Sequence, residues 1–141
     1  MSGVVHISEA ANLALHTMIL LASDPERPLR VNCATKVLPV SENHLAKVLQ
    51  RLAHVGLVRS TRGPHGGFTL ARPPKKITLL EVWEAIEGPL APHGCLLGKP
   101  QCGGSCVLGD FIDKTNAAFR KKLARTRLSD VAGSFKRSDA P

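Results

Sequence analysis

The chain has 141 residues, of which 43% are hydrophobic and only 4% are aromatic. This length corresponds to one ordinary domain with an appendage, and aliphatic side chains must fill its core. No apolar stretch approaches the roughly 20 residues of a membrane span, and the first residues lack the basic region of a secretory signal. We therefore expect a cytoplasmic protein that has no membrane partner and whose cysteines are reduced.

The formal net charge of +8 favours an anionic partner, either nucleic acid or a membrane surface. Between Val31 and Lys76, eight basic residues stand against one acid, Glu42. A second run, from Lys114 to Arg127, has six basic residues and no acid. A solvated helix face explains the second run equally well, whereas the first run coincides with a motif that predicts binding.

Three helical segments are predicted in the first 55 residues. Ile7–Ala22 contains no Gly or Pro and has Ser8 as a possible N-cap, and Leu29–Leu38 is a short stretch that ends before a proline. Ser41 caps a third helix that runs to Val55, and this helix is amphipathic. Its apolar stripe consists of Leu45, Val48, Leu49 and Leu52, and its polar face of Asn43, His44, Lys47, Gln50, Arg51 and His54.

A β-hairpin and two further helices complete the prediction. Leu57–Ser60 and Phe68–Ala71 flank a loop rich in Gly and Pro, which is typical of a hairpin. Thr78 and Glu81 form a capping box for a helix that reaches Glu87. A loop follows, and Val107 begins a final helix that continues to about Thr126. The fold class is therefore mainly α, with a small β-hairpin wing.

Helix, turn, helix and glycine-rich hairpin is the order of a winged helix-turn-helix domain. In such a domain the N-terminus of the second helix meets base edges in the major groove, so Ser41, Asn43 and His44 are candidate base contacts. The candidate phosphate contacts are Lys47 and Arg51. At the wing tip Arg62 suits a narrow minor groove, and His65 can approach a phosphate. An ordinary hairpin turn and a solvated helix start are the simpler alternatives.

Three cysteines, Cys95-x6-Cys102-x3-Cys106, lie in the loop before the last helix. Thiolates are the usual ligands of iron–sulfur clusters, and three of them leave one iron position open for a sensed molecule. Free thiols, or a site that no longer binds metal, are the alternatives. The isolated Cys33 is interpreted as a small buried side chain.

The run GLVRSTRGPHGGFTLARPPKKITLLEVWEAIEG resembles the wing and following helix of the bacterial Rrf2 family of winged-helix transcriptional regulators. Arg62-Gly63-Pro64-His65-Gly66-Gly67-Phe68-Thr69-Leu70-Ala71, followed by Ile77, Leu79 and Val82, matches the family pattern R-G-x-x-G-G-x-x-L-A with I-x-L-x-x-V. The resemblance extends over about residues 7 to 126. It implies a homodimer joined through the long C-terminal helix, with one recognition helix in each half of a palindromic operator in double-stranded DNA. In that family the residues that match Ser41, Asn43, His44 and Arg62 meet DNA.

The resemblance also bears on the cysteines, because cluster-binding members carry three in this loop. Their spacing is usually C-x5-7-C-x5-7-C, so the second interval here is short, and Gly109 stands where some members place a histidine ligand. Other members take a fourth ligand from the first helix of the partner subunit. The matching positions are Asn12 and His16, of which His16 is the better iron ligand. A surface or interface histidine is its alternative role, and His93 and Asp110 are alternative ligands.

The resulting prediction has four segments: a DNA-binding domain (1–88), a cysteine-bearing loop (89–106), a dimerisation helix (107–128) and a flexible tail (129–141). The predicted function is a regulator that senses through a 2Fe-2S or 4Fe-4S cluster, which need not be present in the isolated protein. The alternative is a metal-free thiol switch in which Cys102 and Cys106 form a disulfide. An enzyme is disfavoured, because the sequence has no HExxH motif, no phosphate-binding loop and no Cys–His–Asp arrangement on rigid elements.

Overall fold

The computed structural model describes residues 6–90, 95, 97, 99, 101–103, 106–108, 110–135 and 137. Helices dominate these residues, and the strands form one antiparallel hairpin. In chain order the elements are α1 (Glu9–Ser23), α2 (Val31–Ala34), α3 (Glu42–His54), β1 (Val58–Thr61), β2 (Gly67–Leu70), a 3-10 turn (Pro74–Lys76), α4 (Leu79–Glu87), α5 (Phe111–Arg125), α6 (Leu128–Val131) and a second 3-10 turn (Ala132–Ser134). Within the described residues, no helix has both the length and the apolar character needed to cross a bilayer.

Local signals set the helix boundaries. The Ser8 and Ser41 hydroxyls accept the first free backbone N–H groups of α1 and α3, as expected for N-caps. Thr78 and Glu81 form the predicted capping box at the start of α4. The chain leaves α4 through Gly88, whose φ of 81° is a conformation that favours glycine. The predicted fold class, with its helical majority and short hairpin, is confirmed.

The core lies where α1 packs against α3 and α4. The predicted apolar stripe of α3 is buried in it, since Leu45, Val48, Leu49 and Leu52 are at most 2% exposed. The hairpin pairs Val58 with Leu70 at its base. The helix-turn-helix and the hairpin therefore share one core, which fixes their relative positions.

The C-terminal part differs from the prediction in two respects. Helix α5 begins at Phe111 instead of Val107, and Leu123 is its only fully buried residue. The chain after 128 was expected to be a flexible tail, but its described part folds back into α6 and a 3-10 turn that pack against α1. Leu128 is fully buried, and its backbone N–H donates to the Ile77 carbonyl oxygen at 2.9 Å. Burial of this leucine stabilises the packing of α6 against the 3-10 turn Pro74–Lys76.

Candidate nucleic-acid interface and cysteine loop

The N-terminus of α3 presents the predicted base-contacting residues. The Ser41 hydroxyl accepts the His44 backbone N–H at 3.2 Å, so this hydroxyl serves first as a helix cap. Asn43 is exposed, and its side chain has no hydrogen bond to the described part of the chain. A free amide at this end of a helix can pair with a base edge, most readily an adenine.

His44 lies closer to the protein body than its place on the polar face suggests. Its Nδ1 is 3.7 Å from a Glu9 carboxylate oxygen of α1, and its side chain is 34% exposed. This contact connects the start of α3 with the start of α1. The Glu9 carboxylate is thus a neighbour of His44 that sequence patterns did not pair with it.

The two predicted phosphate contacts have different surroundings. The Lys47 side chain is exposed and has no hydrogen bond or ion pair with the described residues. The Arg51 guanidinium instead donates to the Ile86 carbonyl oxygen at 2.6 Å, near the end of α4. Both residues border a groove of about 410 Å³ that also contacts Ala85. Sequence reasoning missed the Ile86 partner because it lies 35 positions away in the chain.

At the wing tip, Arg62 and His65 are exposed. Arg62 makes no hydrogen bond or ion pair within the part of the chain that the structure describes. Two other arginines near the wing are engaged. Arg59 donates to the Ala71 carbonyl oxygen at 3.0 Å, and Arg72 forms a 2.7 Å ion pair with Glu81. Arg62 is therefore the wing arginine that is available to an external anion.

Glu81 carries the one resolved shift among the titratable groups of this region. Burial would raise the pKa of this carboxyl, but hydrogen bonds from the Thr78 backbone and from Arg72 outweigh burial and lower the pKa below its ordinary value of 4.5. The ionised Glu81 thus joins the end of the wing, through Arg72, to the cap of α4.

The three loop cysteines are free thiols, with Cys95 half-buried and Cys102 and Cys106 exposed. The Cys95 Sγ lies 3.5 Å from the Lys99 carbonyl oxygen. Among the described residues, no three Cys, His, Asp or Glu side chains are gathered as metal ligands require. Of the alternative ligands, Asp110 pairs with Lys114 at 2.8 Å, and His93 lies outside the described residues.

His16 lies in a separate groove of about 360 Å³ between α1 and the turn before α3, and no described cysteine borders this groove. Its Nδ1 donates to the Asn12 carbonyl oxygen at 2.7 Å, which leaves Nε2 as the possible ligand atom. The His16 ring also meets Phe135 edge-on, with 5.5 Å between centroids. Three thiolates and an imidazole suit an iron–sulfur cluster chemically, but the described residues of one chain do not bring them together.

Sequence patterns did not single out Arg137 as a contact residue. Its guanidinium donates to the carbonyl oxygens of Asp24, Arg27 and Pro28 at 2.7–3.0 Å. These carbonyls belong to the turn between α1 and α2. Arg137 therefore contacts the turn that precedes the helix-turn-helix.

A helix-turn-helix followed by a hairpin with an arginine at its tip defines a winged helix-turn-helix protein. The chain matches the family model Rrf2, described as iron-dependent transcriptional regulator, over residues 7–134. It therefore belongs to the Rrf2 family of transcriptional regulators, which bind DNA. This is a family of regulators and not of enzymes, in agreement with the sequence prediction.

Several solved structures of regulators have a fold similar to that of this chain. CymR of B. subtilis, titled the global cysteine regulator, is 27% identical, with a TM-score of 0.78 over 94% of this chain and 99% of that one. IscR of T. potens is 22% identical, with a TM-score of 0.74 over 98% of this chain and 93% of that one. CymR of Staphylococcus aureus is 22% identical, with a TM-score of 0.73 over 92% of this chain and 99% of that one.

Proposed function

We propose that this regulator binds a palindromic operator as a homodimer, with the N-terminus of α3 in the major groove and Arg62 in the minor groove. The observation that carries the proposal is a pair of exposed polar side chains, Asn43 on α3 and Arg62 on the wing, which have no partner among the described residues and lie on two elements that share one core. Ser41, His44, Lys47 and His65 surround them as further candidate contacts, Lys47 and His65 with phosphate.

The dimer contact is proposed to run along α5 and the residues just before it. Val107, Leu108 and Phe111 are 88%, 43% and 59% exposed, respectively. Large apolar side chains in sequence at one end of a helix are typical of a surface that a partner covers. A second copy of the chain is the partner that a palindromic operator requires.

The signal is proposed to act at the cysteine loop, through a cluster bound by Cys95, Cys102 and Cys106. Support comes from the three thiol donors and from the description of the family as iron-dependent. The imidazole of His16 in a second copy is the proposed fourth ligand. When bound, the cluster would supply a redox-active and nitric-oxide-reactive iron centre.

A metal-free thiol switch is the second candidate. Cys102 and Cys106 are exposed and separated by three residues, so an oxidant has access to both thiols. One of the solved relatives is an oxidised form of Staphylococcus aureus CymR. In this case a disulfide would replace the cluster as the signal.

The test begins with selection of operator sequences from a random DNA pool, followed by anisotropy titration of the selected duplex. Wild-type protein should bind the duplex far more tightly than a scrambled one, and equal affinities would refute operator recognition. The same titration is then run on apo protein, on protein incubated anaerobically with ferrous iron and sulfide, and on protein oxidised with diamide. A visible absorption band with changed affinity supports the cluster, whereas a response to diamide alone supports the thiol switch.

A further inference from the structure

Arg51 has an unusual position for a residue on the polar face of a recognition helix. The Ile86 carbonyl oxygen that it contacts belongs to the last turn of α4, where carbonyl groups lack partners within the helix. In the same turn the Gly88 N–H satisfies the Glu84 carbonyl at 2.9 Å. A cation at the C-terminal end of a helix also complements the helix dipole. Arg51 therefore serves as a C-terminal cap for α4.

The end of α4 is also the beginning of the cysteine loop, since Gly88 leads directly into it. Three contacts converge on the last turns of α4. Arg51 of α3 donates to the Ile86 carbonyl oxygen, and the Ser8 hydroxyl, at the start of α1, donates to the Glu87 carboxylate. The Trp83 ring packs edge-on against Phe119 of α5, with 5.0 Å between the ring centroids. The loop is thus joined directly to α4, which is in contact with the recognition helix α3 and with α5, the proposed dimer helix.

We propose that Arg51 is a positioning residue that transmits the state of the cysteine loop to the recognition helix, and that it does not contact phosphate. The inference rests on the proposed function and deepens it. When the loop is reordered, the Ile86 carbonyl shifts relative to α3, and the hydrogen bond carries this shift to the helix that bears Asn43. Lys47, one turn earlier and without a partner among the described residues, remains the phosphate contact of α3.

A phosphate contact and a C-terminal cap of α4 are the two possible roles of Arg51, and they predict different behaviour of Arg51→Gln. Loss of a phosphate contact lowers the slope of log affinity against log salt by about 0.9. Loss of a cap leaves this slope unchanged, but the amides of Glu87 and Gly88 then exchange with solvent about fivefold faster in the free protein. Lys47→Gln is the matched control, and it should lower the slope without affecting exchange at these amides.

The regulatory part of the proposal is tested by measuring DNA affinity in three states: apo protein, protein incubated with iron and sulfide, and diamide-oxidised protein. The quantity compared is the ratio of the highest to the lowest of these three affinities. This ratio should fall towards one in Arg51→Gln and remain at the wild-type value in Lys47→Gln. Arg51→Lys keeps the charge but not the guanidinium, so it should lose most of the ratio and, like Arg51→Gln, leave the salt slope unchanged. Thermal unfolding identifies variants that do not fold.

A lower salt slope with unchanged exchange in Arg51→Gln would overturn the proposal, as would a wild-type ratio that is retained in this variant. Wild-type protein that binds its operator equally in all three states would also overturn it, while operator recognition would stand. Wild-type protein with no operator binding in any state would refute the proposed function itself. The exchange measurement does not involve DNA, so it decides separately whether Arg51 caps α4.

Discussion

Leu29 and Phe68 exchange two backbone hydrogen bonds, from Leu29 N to Phe68 O at 2.8 Å and from Phe68 N to Leu29 O at 2.9 Å. This pair fastens the second strand of the wing to the segment before α2. The wing is therefore held from both sides, by β1 on one and by Leu29 on the other. Gly67, next to Phe68, makes the close approach possible.

The first prediction concerns Gly67→Ala. A Cβ at this position would lie 2.7 Å from the Leu29 carbonyl oxygen, and the φ of 152° favours glycine. We expect a loss of about 2 kcal/mol in the free energy of unfolding and weaker DNA binding. Urea denaturation measures the first effect. Gly133→Ala, with open space around the new Cβ, is the control, and equal stability of the two variants would contradict the close approach.

The second prediction concerns Arg62→Ala. Because Arg62 has no partner among the described residues, its removal should leave the melting temperature unchanged. Operator affinity should fall by about tenfold or more, and the salt slope should decrease by about 0.9. Anisotropy titration at several salt concentrations measures both. Lys99→Ala removes one exposed charge outside the proposed DNA and dimer contacts and should change neither quantity in apo protein, so equal losses in the two variants would indicate a general charge effect.

The third prediction concerns Asn43→Ala. If the amide pairs with a base edge, its loss should cost about 1–3 kcal/mol on the preferred operator and relax the preference at one base pair of each half-site. Operator variants substituted one pair at a time locate that position. A uniform loss across all operator variants would instead assign Asn43 to the DNA backbone.

The fourth prediction concerns Phe111→Glu. A carboxylate in the proposed apolar contact should weaken dimer association by at least about a hundredfold, because a buried unpaired charge is costly. Sedimentation velocity over a range of protein concentrations measures the change. Phe111→Leu keeps the apolar character and should remain dimeric. A dimer that Phe111→Glu leaves intact would place the contact elsewhere.

The fifth prediction concerns the pH dependence of stability. The pKa of Glu81 is lowered in the folded state, so its contribution is present above pH 4.5 and is lost as pH falls through the lower folded value. Glu81→Ala should cost about 1 kcal/mol at neutral pH, and less as the medium is acidified below pH 4.5. Glu84→Ala on the same helix is the control. A cost that stays constant down to pH 2 would contradict the ionised contact with Arg72.

Sequence patterns predicted the elements well where the determinants are local. Ser41 and the Thr78–Glu81 box set helix starts through side chains within three positions of the groups they satisfy. The contacts that the sequence did not reveal join distant segments. Arg51 could have faced solvent by its helical position alone, and only the packing of α3 against α4 brings Ile86 within its reach.

The contact made by Leu128 was also not predictable from local sequence. Leu128 follows a basic, polar stretch, and nothing near it indicates what it would contact. The Ile77 backbone, 51 positions earlier, supplies the partner. The individual DNA contacts and metal ligands remain predictions, because each depends on a second molecule: DNA, a cluster or another copy of the chain.

The backbone N–H of Leu79 donates to the Thr126 carbonyl oxygen at 2.9 Å, so the beginning of α4 lies beside the end of α5. Helices α4 and α5 are thus held against each other, and the segment between them joins two helices that already pack together. Doubling the length of such a segment costs only about 0.6 kcal/mol in chain entropy. Insertions, deletions and new cysteine spacings can therefore accumulate there over evolution, and one architecture can acquire different signals while its DNA-reading half is inherited unchanged.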